Sequence, residues 1–262
     1  MPSTAALQFE NVTQRFGGYT AIENIDFEAR AGAFVSVVGP SGCGKSTLLN
    51  LAAGLIEPGD GRVSVFGERL SGINRKASYM FQQDGLLPWK TAIGNIELGL
   101  RFRGVEAREA AARSREWAAR VGLAGFAEAY PAQLSGGMRK RVAMAQSWIV
   151  DPDILLMDEP FSALDVHTRL RMEAELLALW ASSKSKTILF VTHDLEEAIA
   201  LADEVVVLSS GPASRVVNRY TVELARPRDL IDIRTDPRFH ELYRQIWSEL
   251  RKEVLASYAR GE

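Results

Sequence analysis

The sequence predicts an α/β fold in which a parallel sheet carries helices on its faces. A glycine-rich loop at residues 39–47 joins an apolar run to a helical segment. Three more apolar runs, at 154–157, 187–191 and 205–208, are separated by helical segments, which is the βαβ pattern. The 262 residues, 47% of them hydrophobic, suffice for one large α/β unit with an inserted subdomain.

Charge and composition exclude several function classes. The formal charge of −2, from 31 basic and 33 acidic residues, gives no general attraction to nucleic acid or to an acidic membrane. No apolar stretch approaches the roughly 20 residues that span a bilayer, and residues 1–6 lack a signal-peptide pattern. The single cysteine, Cys43, excludes an internal disulfide and fits a reducing cytosol.

The predicted elements follow from local patterns taken in chain order. Apolar residues cluster or alternate at 7–12 and 21–27 and predict strands of an N-terminal antiparallel β subdomain. A Pro-Gly-Asp-Gly turn precedes another predicted strand at 62–67. The pattern is helical from about residue 85 to 150, which predicts the inserted helical subdomain.

Start and stop signals place the helices that follow. Residues 107–121 are followed by a glycine, and residues 139–150 are followed by an Asp-Pro pair. Each segment is therefore predicted to be a helix that ends at this signal. Asp194, with Glu197 three residues later, predicts a capping box at the start of another helix.

The last helix predicted is amphipathic. Its apolar residues, which recur every three or four positions, are Phe239, Leu242, Tyr243, Ile246, Trp247, Leu250 and Val254. The alternatives are a helix packed on its own domain and a helix that docks a partner.

The glycine-rich loop has the pattern G-x-x-x-x-G-K-[ST] and predicts a nucleoside triphosphate site. Backbone N–H groups and the following helix N-terminus can bind phosphate oxygens, Lys45 can reach the terminal phosphates, and Ser46 offers a hydroxyl to Mg2+. A plain strand–helix turn would not explain why Lys45 and Ser46 stand together. The predicted loop contacts are Gly39, Pro40, Ser41, Gly42, Cys43, Gly44, Lys45, Ser46 and Thr47. Cys43 either fills a tolerant position of the loop or is a site at which oxidation or alkylation would block the nucleotide.

Two carboxylates end the apolar run at 154–157. Phosphoryl transfer needs a metal ligand and a group that orients or deprotonates water. Asp158 is suited to hold Mg2+, and Glu159 is the predicted general base. Gln82 follows another apolar run and can ligate Mg2+ or the water, while His193 follows a third and can hydrogen-bond a γ-phosphate.

Residues Ser135, Gly136 and Gly137 precede a predicted helix and resemble a second anion site. One nucleotide does not need two such sites. The segment is therefore either a plain helix start or a contact to the nucleotide of another subunit.

Together these motifs resemble the ATP-binding cassette (ABC) ATPases from about residue 7 to 208. The resemblance implies a P-loop NTPase fold, ATP and Mg2+ as ligands, and a head-to-tail dimer in which Ser135 and Gly137 contact the partner's ATP. It also implies that Asp165 couples the two sites and that Phe16, usually Tyr in the family, stacks on adenine. Met138 and Gln146 depart from the commoner residues of the signature helix, and Gln146 is expected to affect its packing.

Residues 83–89 and 234–239 resemble importers of nitrate, taurine and sulfonates. Apolar Leu86, Leu87 and Trp89 in a loop indicate a partner surface, which in the family meets the membrane permease. The alternative is a buried turn. The implied location is the cytoplasmic face of the inner membrane, with an external solute-binding protein as indirect partner and no nucleic acid.

The sequence therefore predicts the ATP-hydrolysing subunit of an importer for a small solute. A soluble ABC ATPase, for example one of cluster assembly, is the alternative. The predicted domains are a nucleotide-binding core with β subdomain (1–84 and 151–215), a helical signature subdomain (85–150) and a C-terminal extension (216–262).

Overall fold

Two β-sheets organise the described part of the chain, residues 5–183 and 186–260 of a computed structural model. The strands, in chain order, are β1 (Ala5–Phe16), β2 (Tyr19–Arg30), β3 (Phe34–Val38), β4 (Asp60–Val65), β5 (Glu68–Arg69), β6 (Ala77–Met80), β7 (Ile154–Asp158), β8 (Thr187–Val191), β9 (Glu204–Leu208) and β10 (Val216–Thr221). The N-terminal sheet is antiparallel with the order β2-β1-β4-β5, and the main sheet has the order β10-β9-β3-β8-β7-β6.

The helices surround the main sheet and form the inserted segment. They are α1 (Lys45–Ala53), α2 (Ala92–Ile96), α3 (Leu98–Phe102), α4 (Ala107–Arg120), α5 (Gly136–Trp148), α6 (Val166–Ser183), α7 (Leu195–Leu201) and α8 (Pro237–Arg260). Short 3-10 turns lie at Ala124–Phe126, Pro131–Gln133 and Asp232–Thr235. Within the described residues, no helix combines the length and hydropathy needed to cross a bilayer.

The centre of the main sheet is parallel and covered on both faces. Strands β6, β7, β8, β3 and β9 run parallel, and every residue of β3 and β8 is buried. Burial on both faces accounts for their continuous Val, Ile, Leu and Phe runs. Because parallel strands end at the same edge, the residues after β3, β6, β7 and β8 come together there.

The inserted segment has its own small core. Apolar residues of α2, α4 and α5, such as Ile96, Ala118 and Val142, are almost fully buried against each other, and Met138 packs at the edge of this core. Asn95 is fully buried, and its side-chain amide bonds the backbone of Leu87, Lys90 and Thr91. This amide fixes the loop between β6 and α2.

Two helix starts differ from the sequence expectation. Helix α5 begins at Gly136, three residues before the predicted start, because the Ser135 hydroxyl caps it by accepting from the Met138 N–H at 3.3 Å. Asp194 caps α7, but Glu197 accepts a hydrogen bond from the Thr192 hydroxyl rather than reaching the Asp194 N–H. The predicted capping box is therefore only half formed.

The C-terminal segment packs on its own domain, the first of the two alternatives. Phe239 and Ile246 of α8 are buried in the main core, while Trp247 remains half exposed. Strand β10 pairs with β9 and extends the main sheet. Residues 1–4, on which the signal-peptide expectation partly rests, lie outside the described residues.

Candidate functional site

The predicted site residues gather at the carboxyl edge of the main sheet. Strand β3 leads into the glycine-rich loop, β7 ends at Asp158, and β8 ends two residues before His193. Ligands of open α/β sheets bind at such edges because the loops there leave a crevice.

Two glycines give the loop its shape. Gly44 has a φ of +86°, and a Cβ there would lie 2.4 Å from the Ile22 side chain. A Cβ on Gly39 would lie 2.7 Å from the Cys43 sulfur. Neither position tolerates a side chain, so the loop can keep its backbone N–H groups close to a ligand.

The loop closes around the side chain of Lys45. This side chain is buried, and its ammonium donates hydrogen bonds to the carbonyl oxygens of Gly39 and Pro40, both at 2.9 Å. A cation is therefore held inside the loop, next to the N-terminus of α1, where it favours an anionic ligand.

Asp158 lies beside the loop at the end of β7. Its carboxylate accepts a hydrogen bond from Tyr79 Oη at 3.3 Å. Burial raises the pKa of Asp158, and its interactions with the Ser46 hydroxyl and with Tyr79 partly oppose that rise. Tyr79 was not among the predicted residues; its position three residues before Gln82, on the strand next to β7, is the signal that could have found it.

Gln82 and His193 converge on Glu159. Glu159 Oε2 accepts from Gln82 Nε2 at 3.2 Å and lies 3.0 Å from His193 Nδ1. The Glu159 backbone has a φ of +41°, uncommon for a residue with a side chain, and its N–H donates to the Val191 carbonyl at 2.9 Å. Three predicted catalytic residues thus meet at one carboxylate oxygen.

A cleft of about 360 Å³ opens over the loop. Its lining residues are Phe16, Tyr19, Ala21, Ser41, Gly42, Gly44, Lys45, Ser46, Thr47 and Glu159. Phe16 is 49% exposed, so it is not a core aromatic, and Tyr19, which sequence reasoning missed, lies at the same cleft with 48% exposed. Two aromatic rings at the mouth can stack on a planar base.

The signature residues Ser135, Gly136 and Gly137 do not line this cleft among the residues described. Ser135 and Gly136 are exposed at the start of α5. Gly137 packs against α6, since a Cβ there would lie 2.7 Å from the Thr168 methyl group. Asp165 is exposed and caps α6 by accepting from the Thr168 N–H at 3.0 Å. Within one chain, the residues of the predicted second anion site therefore lie apart from the cleft over the glycine-rich loop.

A buried lysine connects the signature helix to the segment after β6, and sequence reasoning missed it. Lys140 Nζ donates to the Gln82 carbonyl at 2.6 Å and lies 3.1 Å from the Asp84 carboxylate. The Arg139 guanidinium also bonds Asp84, at 3.0 Å. A movement of α5 is thereby linked to the backbone of Gln82.

Cys43 is fully buried, and burial raises the pKa of its thiol. An exposed thiolate is the nucleophile that reacts with oxidants and alkylating reagents, so the geometry does not support Cys43 as a reactive site. Trp89, by contrast, is 70% exposed, while Leu86 packs against the core. The loop is thus partly buried at Leu86 and exposed at Trp89.

The donors beside the loop suit a hard divalent cation. Mg2+ prefers oxygen ligands and keeps several waters, and the Ser46 hydroxyl and Asp158 carboxylate are adjacent oxygen donors. Among the residues the structure describes, no group of three His, Cys, Asp or Glu side chains forms a metal cage. The arrangement fits a cation held jointly by protein and nucleotide.

The chain is similar to known transport ATPases. Residues 22–162, more than half of the chain, match the family model described as ABC transporter. The taurine import ATP-binding protein TauB of Pseudomonas aeruginosa is 41% identical over 258 residues (97% of this chain and 96% of that protein). TauB of Escherichia coli is 40% identical over 237 residues, covering 89% of this chain and 92% of that protein.

A solved structure also resembles the fold. The ATP-binding cassette MJ0796, in a dimeric post-hydrolysis state bound to ADP and Pi, has a TM-score of 0.73 and 31% identity. The structural match covers 84% of this chain and 100% of the MJ0796 chain.

Proposed function

The chain belongs to the ABC transporter family as an ATPase, and we propose that it powers import of a taurine- or sulfonate-like solute through a separate permease. The import activity and solute class are supported by the relatives named taurine import ATP-binding proteins. The observation that carries the hydrolytic role is the meeting of Gln82 and His193 at one oxygen of Glu159, at 3.2 and 3.0 Å, beside a phosphate loop.

ATP binds in the cleft above the loop. The backbone of residues 39–47 surrounds the phosphates, and Lys45 exchanges its two carbonyl partners for phosphate oxygens. Phe16 stacks on the adenine, with Tyr19 beside it.

Ser46, Asp158 and Gln82 would hold Mg2+ with the nucleotide. When bound, the ion would neutralise charge on the phosphate oxygens. The Ser46 hydroxyl already interacts with the Asp158 carboxylate, so both groups are in place without a large rearrangement.

Glu159 acts as general base toward the attacking water. Gln82 and His193 orient its carboxylate, and His193 also donates to the γ-phosphate. Because the carboxylate is in contact with two polar side chains, its orientation is fixed, and this favours proton transfer from a water held in one position. Lys45 stabilises the negative charge on the transferred phosphoryl group.

The second anion site completes the cleft of another copy or of a paralogue. Ser135, Gly136 and Gly137 contact the partner's γ-phosphate in a head-to-tail dimer, and Asp165 couples the two sites. Support comes from the exposure of Ser135, Gly136 and Asp165, from their absence among the described residues of the chain's own cleft, and from the dimeric MJ0796 structure.

Trp89 docks the permease from the cytoplasmic side of the inner membrane. This role is supported by its exposure on a loop fixed by Asn95. An external solute-binding protein supplies the solute to the permease, and nucleic acid has no part in this function.

The test is purification of the tagged full chain from native membranes in mild detergent, followed by mass spectrometry. We expect a multi-span permease in stoichiometric amount and ATPase activity in the complex. A Trp89→Ala variant purified in parallel is the control: loss of the permease from this variant would show that binding is specific and not a nonspecific association with membrane proteins. Recovery of the chain without any membrane protein, at native expression, would contradict the import role and favour a soluble ABC ATPase.

A further inference from the structure

A charged cluster adjoins the loop that carries His193 and belongs to no step described above. Three parts of the fold contribute: α6, the segment from His193 into α7, and the 3-10 turn Asp232–Thr235 of the C-terminal extension. Of the members of this charge cluster, Glu173 and Glu197 are buried and Glu196 is exposed. The members are Glu173, Asp194, Glu196, Glu197, Arg169 and Arg234.

The two most buried acids of the cluster are poorly hydrogen-bonded. Glu173 is fully buried, and neither of its carboxylate oxygens accepts a hydrogen bond from the described residues. Glu197 is 4% exposed and uses one oxygen for the Thr192 hydroxyl, while the other lacks a partner in the described chain. Burial disfavours the charged form of such acids, so nearby cations are needed to stabilise them when they ionise.

Arg234 stands between the helices that carry these acids. Its guanidinium lies 3.3 Å from the Glu196 carboxylate of α7 and 3.6 Å from that of Glu173 on α6. The attraction of Arg234 is the strongest cationic influence on Glu173, and Arg169 is a weaker one. Arg234 therefore bridges two helices that would otherwise bring acids together.

The cluster is joined to both neighbours of His193. The Thr192 hydroxyl donates to Glu197 and accepts from the Asp194 N–H at 3.0 Å. Asp194 accepts from Arg169 Nη1 at 2.9 Å and caps α7. His193 lies between these residues and contacts Glu159. A displacement of α7 therefore moves His193 relative to Glu159.

We propose that Arg234 is a positioning residue for His193. By holding Glu196 and Glu173 together, it keeps α7 against α6, and through α7 it keeps the imidazole at Glu159. Without Arg234, Glu173 of α6 and Glu196 of α7 would lose the cation that they share, and with it a link between the two helices. The C-terminal extension thus influences hydrolysis without lining the nucleotide cleft. The inference rests on the role proposed for His193.

Imidazole NMR tests the proposal without needing activity. The chain has only three histidines, and the His193 signals are assigned with a His193→Gln variant. We expect Arg234→Met to shift the His193 signals and Arg234→Lys to restore them. Arg238→Met, the same substitution at an exposed arginine of the same segment, is the matched control and should leave them in place. Unshifted His193 signals in folded Arg234→Met would overturn the proposal.

Kinetics supply the second readout. Arg234→Met is expected to lower kcat about tenfold and to leave ATP affinity nearly unchanged. The expected loss is smaller than the rate enhancement of roughly 10²–10⁴ that a general acid–base group contributes, because the imidazole is displaced and not removed. In a His193→Ala background it should cause no further loss; an equal loss there would exclude action through His193. If Arg234→Met does not fold, Glu196→Gln removes the same contact to α7 and takes its place. A wild-type chain that binds ATP but does not hydrolyse it would contradict the proposed function. The NMR experiment would then still show whether Arg234 positions His193.

Discussion

At the scale of single residues, Glu159 is the most constrained group of the site. Its backbone has a positive φ, its N–H is tied to β8, and its carboxylate has two side-chain partners. Strain of this kind persists where the surrounding structure imposes it, and it is frequent at active sites. The constraint fits a base that must point in one direction.

Replacement of Glu159 by Gln should separate binding from turnover. The amide keeps the size of the side chain but cannot take a proton, so kcat should fall by about 10²–10⁴ while ATP affinity is retained. Phosphate release and equilibrium binding of labelled ATP measure the two effects. Glu223→Gln, at an exposed glutamate, should leave both unchanged. Wild-type turnover in Glu159→Gln would show that the base lies elsewhere.

At the scale of elements, two buried polar side chains hold the segment between β6 and α2. Lys140 binds the Gln82 carbonyl and Asp84, and Asn95 binds the backbone around Leu87. The segment carries Gln82 toward the nucleotide and Trp89 toward solvent. A rigid connection of this kind allows events in the cleft to reach the exposed surface.

Lys140→Met should weaken this connection. Loss of the buried cation leaves Asp84 with Arg139 and removes a hydrogen bond from the Gln82 carbonyl. We expect the free energy of unfolding to fall by about 3 kcal/mol, as for other broken buried pairs, and ATP hydrolysis to slow more than ATP binding weakens. Urea unfolding and single-turnover kinetics measure these quantities. Lys252→Met, at an exposed lysine, is the control, and equal behaviour of the two variants would refute the link.

Trp89→Ala should weaken docking to the permease and spare the ATP site. A large exposed aromatic on a fixed loop has the character of an interface hot spot, so the loss should be about 2 kcal/mol or more of binding free energy. Titration of the purified permease in detergent measures it. Trp247→Ala removes a half-exposed tryptophan from α8 and should have little effect. Equal affinities for the wild type and Trp89→Ala would rule out this surface.

At the scale of the whole molecule, the buried acids make stability depend on pH. Burial raises the pKa of Glu173 to about 7 and that of Glu197 to about 8. A carboxyl whose pKa is raised by folding binds its proton more tightly in the folded state. The stabilisation is therefore present below the unfolded pKa of about 4.5 and is lost as pH rises through 7 and 8.

Glu173→Gln should flatten this pH dependence. The free energy of unfolding of the wild type should decrease from pH 5 to pH 9, and the variant should lack roughly 2 kcal/mol of that decrease, at 1.36 kcal/mol per pKa unit. Urea unfolding at both pH values tests this. Glu223→Gln should retain the wild-type slope. The same decrease in Glu173→Gln as in the wild type would show that Glu173 is ionised in the folded state throughout.

Local chemistry was open to prediction from the sequence. The phosphate loop, the acid-ended strand β7 and the helix cap Asp194 depend on residues close together in the chain, and their spacing carries the information. The hydrogen bond of Glu197 was harder to predict, because its carboxylate can accept from either the Asp194 N–H or the Thr192 hydroxyl. In the folded chain it accepts from Thr192.

Glycines, a lysine and carboxylates at fixed spacing were sufficient to predict an α/β ATPase of the ABC type, because they define the chemistry. Folding is needed to bring Gln82 and His193 to Glu159, Lys140 to the backbone of Gln82, and Arg234 to Glu173 and Glu196. These contacts join residues far apart in sequence. Their partners depend on sheet order and on how helices pack, which no local pattern encodes.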